Sequence, residues 1–150
     1  MRSRFILLFG ILLFSVLTEK TLYAQKKSKD KLLANKIYAA KFTEQGDRKN
    51  ATIADWDITF RSDNITSVLL REVVGYATFL PPSYTATIDS SSATKKITFA
   101  AESTNSDKDV LKWSGTVIDK TIEGTATLER KGEIKRQYSF LGTLREPKKK

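Results

Sequence analysis

The chain has 150 residues and a formal net charge of +9, and it contains neither histidine nor cysteine. Without those side chains, Ser-His-Asp and Cys-His catalysis, thiol redox chemistry, disulfides and the common zinc, copper and haem ligand sets are closed to it. The charge is concentrated at the ends, since residues 26–31 and Lys148 to Lys150 each carry +3 while residues 32–147 carry +1; so neutral a body excludes the broad basic face that nucleic-acid binding needs.

In chain order, Arg2 and Arg4 precede an apolar run over residues 5–16, and Leu22-Tyr23-Ala24 ends the segment as a small-residue cleavage site would. Residues 1–24 are therefore expected to be a cleaved signal peptide. The apolar run falls short of the ~20 residues that span a bilayer, and Glu19 and Lys20 follow it closely. No later segment is apolar enough to cross, and no cysteine stands ready to carry a lipid, so the mature protein is expected free in the periplasm or secreted. Residues 25–35 read as a basic linker, 36–146 as one domain, and 147–150 as a basic tail. Both basic ends read first as solvated chain and second as a tether to an anionic envelope surface.

Strand signals dominate the domain. Tyr38, Ala40 and Phe42 share a face in the first strand, and Trp56, Ile58 and Phe60 alternate with Asp55, Asp57 and Thr59 in the second. Residues 67–74 are ambiguous, because Val68, Leu69, Leu70, Val73 and Val74 suit a buried strand or a short amphipathic helix equally, and Pro81-Pro82 ends that segment. Tyr84, Ala86 and Ile88 form the next apolar face, then Ile97, Phe99 and Ala101. Residues 109–144 are expected as a three-stranded meander, with Leu111, Trp113, Gly115 and Val117, then Ile122, Gly124, Ala126 and Leu128, then Ile134, Tyr138, Phe140, Gly142 and Leu144 facing inward. Asp119-Lys120 and Lys131-Gly132 suit tight hairpins.

These strands predict an all-β, antiparallel up-and-down meander, closed or nearly closed into a barrel of about eight strands, with a compact β-sandwich as the alternative. Gly115, Gly124 and Gly142 favour the barrel, because glycine on an apolar strand face permits sharp coiling. Gly75-Tyr76 leading to Pro82 and Tyr84, Trp113-Ser114-Gly115-Thr116, Ile122-Glu123-Gly124-Thr125 and Tyr138-Ser139-Phe140-Leu141-Gly142 resemble small exported bacterial β-domain proteins of unassigned function. More broadly, residues 57–144 resemble lipocalin-like barrels. The Gly-x-Trp of a lipocalin first strand is absent, so the resemblance implies a fold and carries over no binding residues.

Three polar patterns read as structure rather than chemistry. Asp55 and Asp57 could pair as glycosidase carboxylates but should point to water, opposite Trp56. Asn105, Asp107 and Asp109 alternate like the start of a calcium loop, yet Val110 and Thr116 stand where its glycine and its glutamate belong. Asn50-Ala51-Thr52 and Asn64-Ile65-Thr66 match a short glycosylation sequon.

The remaining positive signal is aromatic. Trp56, Phe60, Tyr84, Phe99, Trp113 and Tyr138 fall on inward faces, and a barrel of about eight strands either fills with side chains or holds one small ligand. The expected function is a monomeric, non-enzymatic binding module of the bacterial envelope that holds a small apolar or amphipathic ligand in or at the mouth of the barrel, with those six residues as candidate ligand contacts and no metal or cofactor. The alternative is a structural or protein-interaction domain with a filled core, docking an envelope protein through residues 67–82.

Overall fold

A computed structural model of the protein describes residues 32–46, 51–73, 76–91 and 94–146, and of residues 51–53 the backbone alone. The expected signal peptide, most of the basic linker, the basic tail and Asn50 of the first sequon lie outside the described residues.

Eight antiparallel strands form one sheet: β1 Ile37–Gln45, β2 Ala51–Arg61, β3 Asn64–Ser67, β4 Tyr84–Asp89, β5 Lys96–Thr104, β6 Val110–Ile118, β7 Thr121–Arg130 and β8 Glu133–Leu144. Their order, β3-β2-β1-β8-β7-β6-β5-β4, is an up-and-down meander in which the first strand also pairs with the last. That pairing curls the sheet into a barrel with one seam, between β3 and β4. The sandwich alternative does not form.

Pro81 and Pro82 help to keep the seam open. Neither has an N–H, so the chain entering β4 can accept from β3 but cannot donate to it until Ser83. Accordingly, one bridge, Asn64 to Ser83, joins the two edges, supported by Ile65 N–H donating to the Pro82 carbonyl and Tyr84 N–H to the Asp63 carbonyl, each at 3.0 Å.

Inward residues alternate large and small around the wall, as a tightly coiled barrel requires. One row runs Phe99, Gly115, Gly124, Phe140, Phe42 across β5, β6, β7, β8 and β1. A β-carbon on Gly124 would sit 2.2 Å from the Ser114 carbonyl oxygen and 2.6 Å from the Phe140 ring, and one on Gly115 would sit 2.7 Å from the Phe99 ring. The bare backbone of the two central strands thus serves as the surface on which two phenyl rings lie, and those rings stack at 6.4 Å. The neighbouring row, Tyr84, Ala101, Trp113, Ala126, Tyr138, uses alanines in the same way.

Both ends of the barrel are plugged. Leu33 is wholly buried at the end where β1 begins, and Asn35 N–H donates to the Phe60 carbonyl at 2.7 Å, so residues of the expected linker join the core. At the other end lies a strap, of which residues 68–73 and 76–82 are described. Of the ambiguous segment, Ser67 ends β3 and caps one 3₁₀ turn, Val68–Leu70, and residues 71–73 form neither strand nor helix, while Val74 lies outside the described residues. Leu69, Leu70, Val73 and Phe79 are each buried.

Two sequence expectations fail locally. Ile134, placed on the inward face, is 62% exposed, because a bulge opposite Leu128 and Glu129 leaves Lys135 unpaired and sets Ile134 opposite Glu129, on the outward face. Ile88 is also exposed, since β4 outruns the β2–β3 turn that should have flanked it. Elsewhere the inward faces are as expected. Trp113, 1% exposed, contacts Phe42 and Phe140. Truncating such an indole costs ~3–5 kcal/mol. Trp113→Ala should therefore lower the chemical denaturation midpoint severely, while Lys112→Ala, whose side chain points outward, should shift it little.

Candidate functional site

Five of the six aromatic residues singled out in the sequence, Phe60, Tyr84, Phe99, Trp113 and Tyr138, are buried, and they pack on one another and their neighbours. Ring centroids of Phe60 lie 5.0 Å from Tyr84 and 5.1 Å from Phe99, both edge to face. Trp56 is only half-buried and leans on Phe42 at 5.5 Å. These rings meet as the contents of a core. Within it, Tyr38 Oη and Trp113 Nε1 are buried without a hydrogen-bond partner, and burial pushes the Tyr38 hydroxyl up to about 12. Burial likewise raises Tyr138, against the pull of the Arg136 guanidinium.

The polar residues around 105–109 fasten the strap. Asn105 Oδ1 accepts from the backbone N–H groups of Asp107 (3.0 Å) and Asp109 (2.9 Å), while its Nδ2 donates to the Ala77 carbonyl of the strap at 3.2 Å. Asp109 is buried and receives two hydrogen bonds from Arg130, each 2.7 Å, in the planar fork that arginine offers a carboxylate. Arg130 in turn lies 4.6 Å from the centre of the Tyr76 ring, which Arg136 also approaches at 5.8 Å. Ser103 Oγ donates to the Leu80 carbonyl at 2.6 Å. Among the described residues, no group of three or more carboxylate, histidine or cysteine side chains is placed to hold a metal ion, and no helix is long and apolar enough to cross a membrane.

Open depressions lie on the outside of the wall. One, of about 770 Å³, sits over the glycine pair and is lined by Thr98, Ser114, Thr116, Thr125 and Ser139, with Lys41 and Glu123 as its charges. Those two charges oppose each other, and Thr116 Oγ1 already donates to Glu123 at 3.3 Å.

The second depression has a different character. It is a groove of about 480 Å³ between the outer face of β2–β3 and the strap. Val68, Leu70, Phe79, Leu80 and Pro81 supply apolar walls, Thr59 and Thr66 the hydroxyls, and Asp57, Arg61 and Arg71 the charges. Leu80 is 74% exposed there. Asp57, considered above as half of a catalytic pair, is held by Arg145 at 2.9 Å, and Asp55 points to solvent. Asn64 of the second sequon donates to the Pro81 carbonyl at 3.3 Å. Sequence reasoning marked the strap as a contact region but missed the groove, because its β2–β3 wall and its strap wall are joined only by the fold.

No family model, curated protein or solved structure matches the chain.

The Arg130 hydrogen bonds, aided by Asn105, hold the Asp109 carboxyl below the ordinary carboxylate range against the opposing effect of burial. A carboxyl depressed in the folded state stabilises the fold above its unfolded value of ~3.9, and that contribution is lost as pH falls through the folded value. Asp109→Asn should therefore lower the denaturation midpoint at pH 7, and the gap to the parent protein should close as pH falls from about 5 toward 2. A gap of unchanged size at pH 2 would contradict the assignment.

Proposed function

We propose that this protein is an exported, non-enzymatic binding module of the bacterial envelope, and that its ligand lies in the outer groove between the strap and β2–β3. Export is supported by the Arg2–Arg4 start, the apolar run and the Leu22-Tyr23-Ala24 site. A binding role without catalysis is supported by the lack of histidine and cysteine and by the engagement of Asp57 and Asp109 with arginines.

The observation that carries the reading is the contrast between inside and outside. The barrel interior is occupied by its own aromatic rings, whereas Leu80 stands largely exposed on a groove whose volume falls in the ~300–1,000 Å³ typical of small-molecule sites. An apolar or amphipathic molecule laid there would cover Leu80, Pro81 and Val68 without disturbing the core. The filled core also favours a second reading, a domain that docks an envelope protein through the same strap; cross-linking from residue 78 in intact cells would capture that partner.

A neutral naphthylamine probe, whose emission rises in apolar surroundings, should bind the mature protein. Leu80→Ser, which removes about 3 buried carbon atoms from the contact, should weaken it roughly tenfold or more, while Thr116→Ala on the other depression should leave it unchanged. Failure of the probe to bind, or binding indifferent to Leu80→Ser, would remove the groove as the site.

A further inference from the structure

The charges of the groove do not balance. Asp57 already has Arg145 as its partner at 2.9 Å. Arg61 and Arg71 line the same groove, both are exposed, and neither forms an ion pair with another described residue. Arg61 extends from the end of β2 and Arg71 follows the 3₁₀ turn of the strap, so the two cations come from opposite walls. The same groove is lined by Val68, Leu80 and Pro81, and by the buried Leu70 and Phe79. At the Arg61 end the groove continues into a polar shelf with Ser62, Asp63 and Asn64, where the single acid is Asp63.

An exposed arginine elsewhere on the surface would be unremarked. Here two of them line one groove with apolar residues, and the acid of that groove is already paired with Arg145. An apolar contact alone would select for chain length and be blind to charge. A guanidinium beside it adds a planar set of donors that fits a carboxylate, and a hydrogen bond to a charged group is worth more than one between neutral groups.

We infer that the groove binds single-chain anionic amphiphiles, with the alkyl chain against Val68, Leu80 and Pro81 and the acid head group taken by the guanidinium of Arg61 or of Arg71. This rests on the groove being the binding site. Partial solvent exposure makes the head-group contact sensitive to salt, whereas the chain contact is not.

The test compares decanoate, decanol and decyltrimethylammonium, three ligands with the same chain and different head charge, as competitors of the neutral naphthylamine probe below their aggregation limits. On the parent protein, decanoate should displace the probe at about one-tenth the concentration that decanol needs, and the cation should be the weakest. Arg61→Gln combined with Arg71→Gln should bring decanoate to the level of decanol and leave decanol itself unchanged. Raising salt should narrow the preference in the parent alone. Both arginines are exposed, so the double variant should keep its denaturation midpoint. Equal displacement by all three ligands, with Leu80→Ser still weakening each, would overturn the head-group assignment and leave the groove standing. Preference for the cation would do the same. Absence of probe binding, or binding untouched by Leu80→Ser, would instead overturn both.

Discussion

The fold depends on two phenyl rings lying on two glycines. Phe99 on β5 and Phe140 on β8 are separated by two strands, yet their rings stack at 6.4 Å because Gly115 and Gly124, paired directly across β6 and β7, present only backbone beneath them. A side chain at either glycine would stand between ring and sheet. Close approach there lets the sheet coil tightly enough for β8 to reach β1, and the same coiling leaves the depression on the outer side of the glycine pair.

A core closed in this way has consequences for where a ligand can go. With Phe42, Phe60, Trp113 and Tyr138 buried around the stacked pair, the interior is committed to stability. What remains adjustable is the wall at the seam, where two prolines keep β3 and β4 from zipping together and the chain between them is free to form a strap. Fastening the strap falls to polar groups: Asn105 to Ala77, Ser103 to Leu80, and the Asp109–Arg130 fork beneath Tyr76. Anchored along one side, the strap presents Leu80 and Arg71 on the other, facing β2. The fastened side and the exposed side thus occupy different surfaces of the same short segment, while Leu70 and Phe79 are buried in the core.

How much of this was legible in the sequence follows from which interactions are local. Period-two alternation marks the inward faces of β1, β2 and β5 to β8 apart from the tip of β8, and the glycines at 115, 124 and 142 point to a barrel. Lys131 and Gly132 adopt the positive φ angles that a two-residue hairpin needs, at the position their sequence implied. Residues 68–73 and 76–79 resist reading because Leu69 and Leu70 reach the core from a single 3₁₀ turn and Val73 and Phe79 from outside any helix or strand, so no period exists to find. Leu33 was hidden among lysines. Ile134 had the right parity and the wrong environment, since a bulge in a hairpin tip leaves no mark in the alternation. The six aromatic candidates were correctly placed on inward faces, Trp56 only partly, but a set of inward rings does not say whether they line a space or fill it. Arg61 and Arg71 are ten residues apart in an unremarkable pattern, and only the strap's return across β2–β3 makes them neighbours of one groove.

Barrel closure turns on the glycine pair, and its most direct test is the stability of Gly124→Ala against Gly46→Ala by chemical denaturation. A β-carbon at 46 meets nothing within 4 Å, whereas at 124 it meets the Ser114 carbonyl oxygen at 2.2 Å and the Phe140 ring at 2.6 Å. Overpacking of this kind costs ~1–3 kcal/mol or more, so Gly124→Ala should lower the denaturation midpoint well below that of the parent while Gly46→Ala stays within about 0.5 kcal/mol. Equal midpoints for the two variants would mean that the rings do not rest on bare backbone, and that the barrel closes by some other means than the close approach of Phe99 and Phe140 to Gly115 and Gly124.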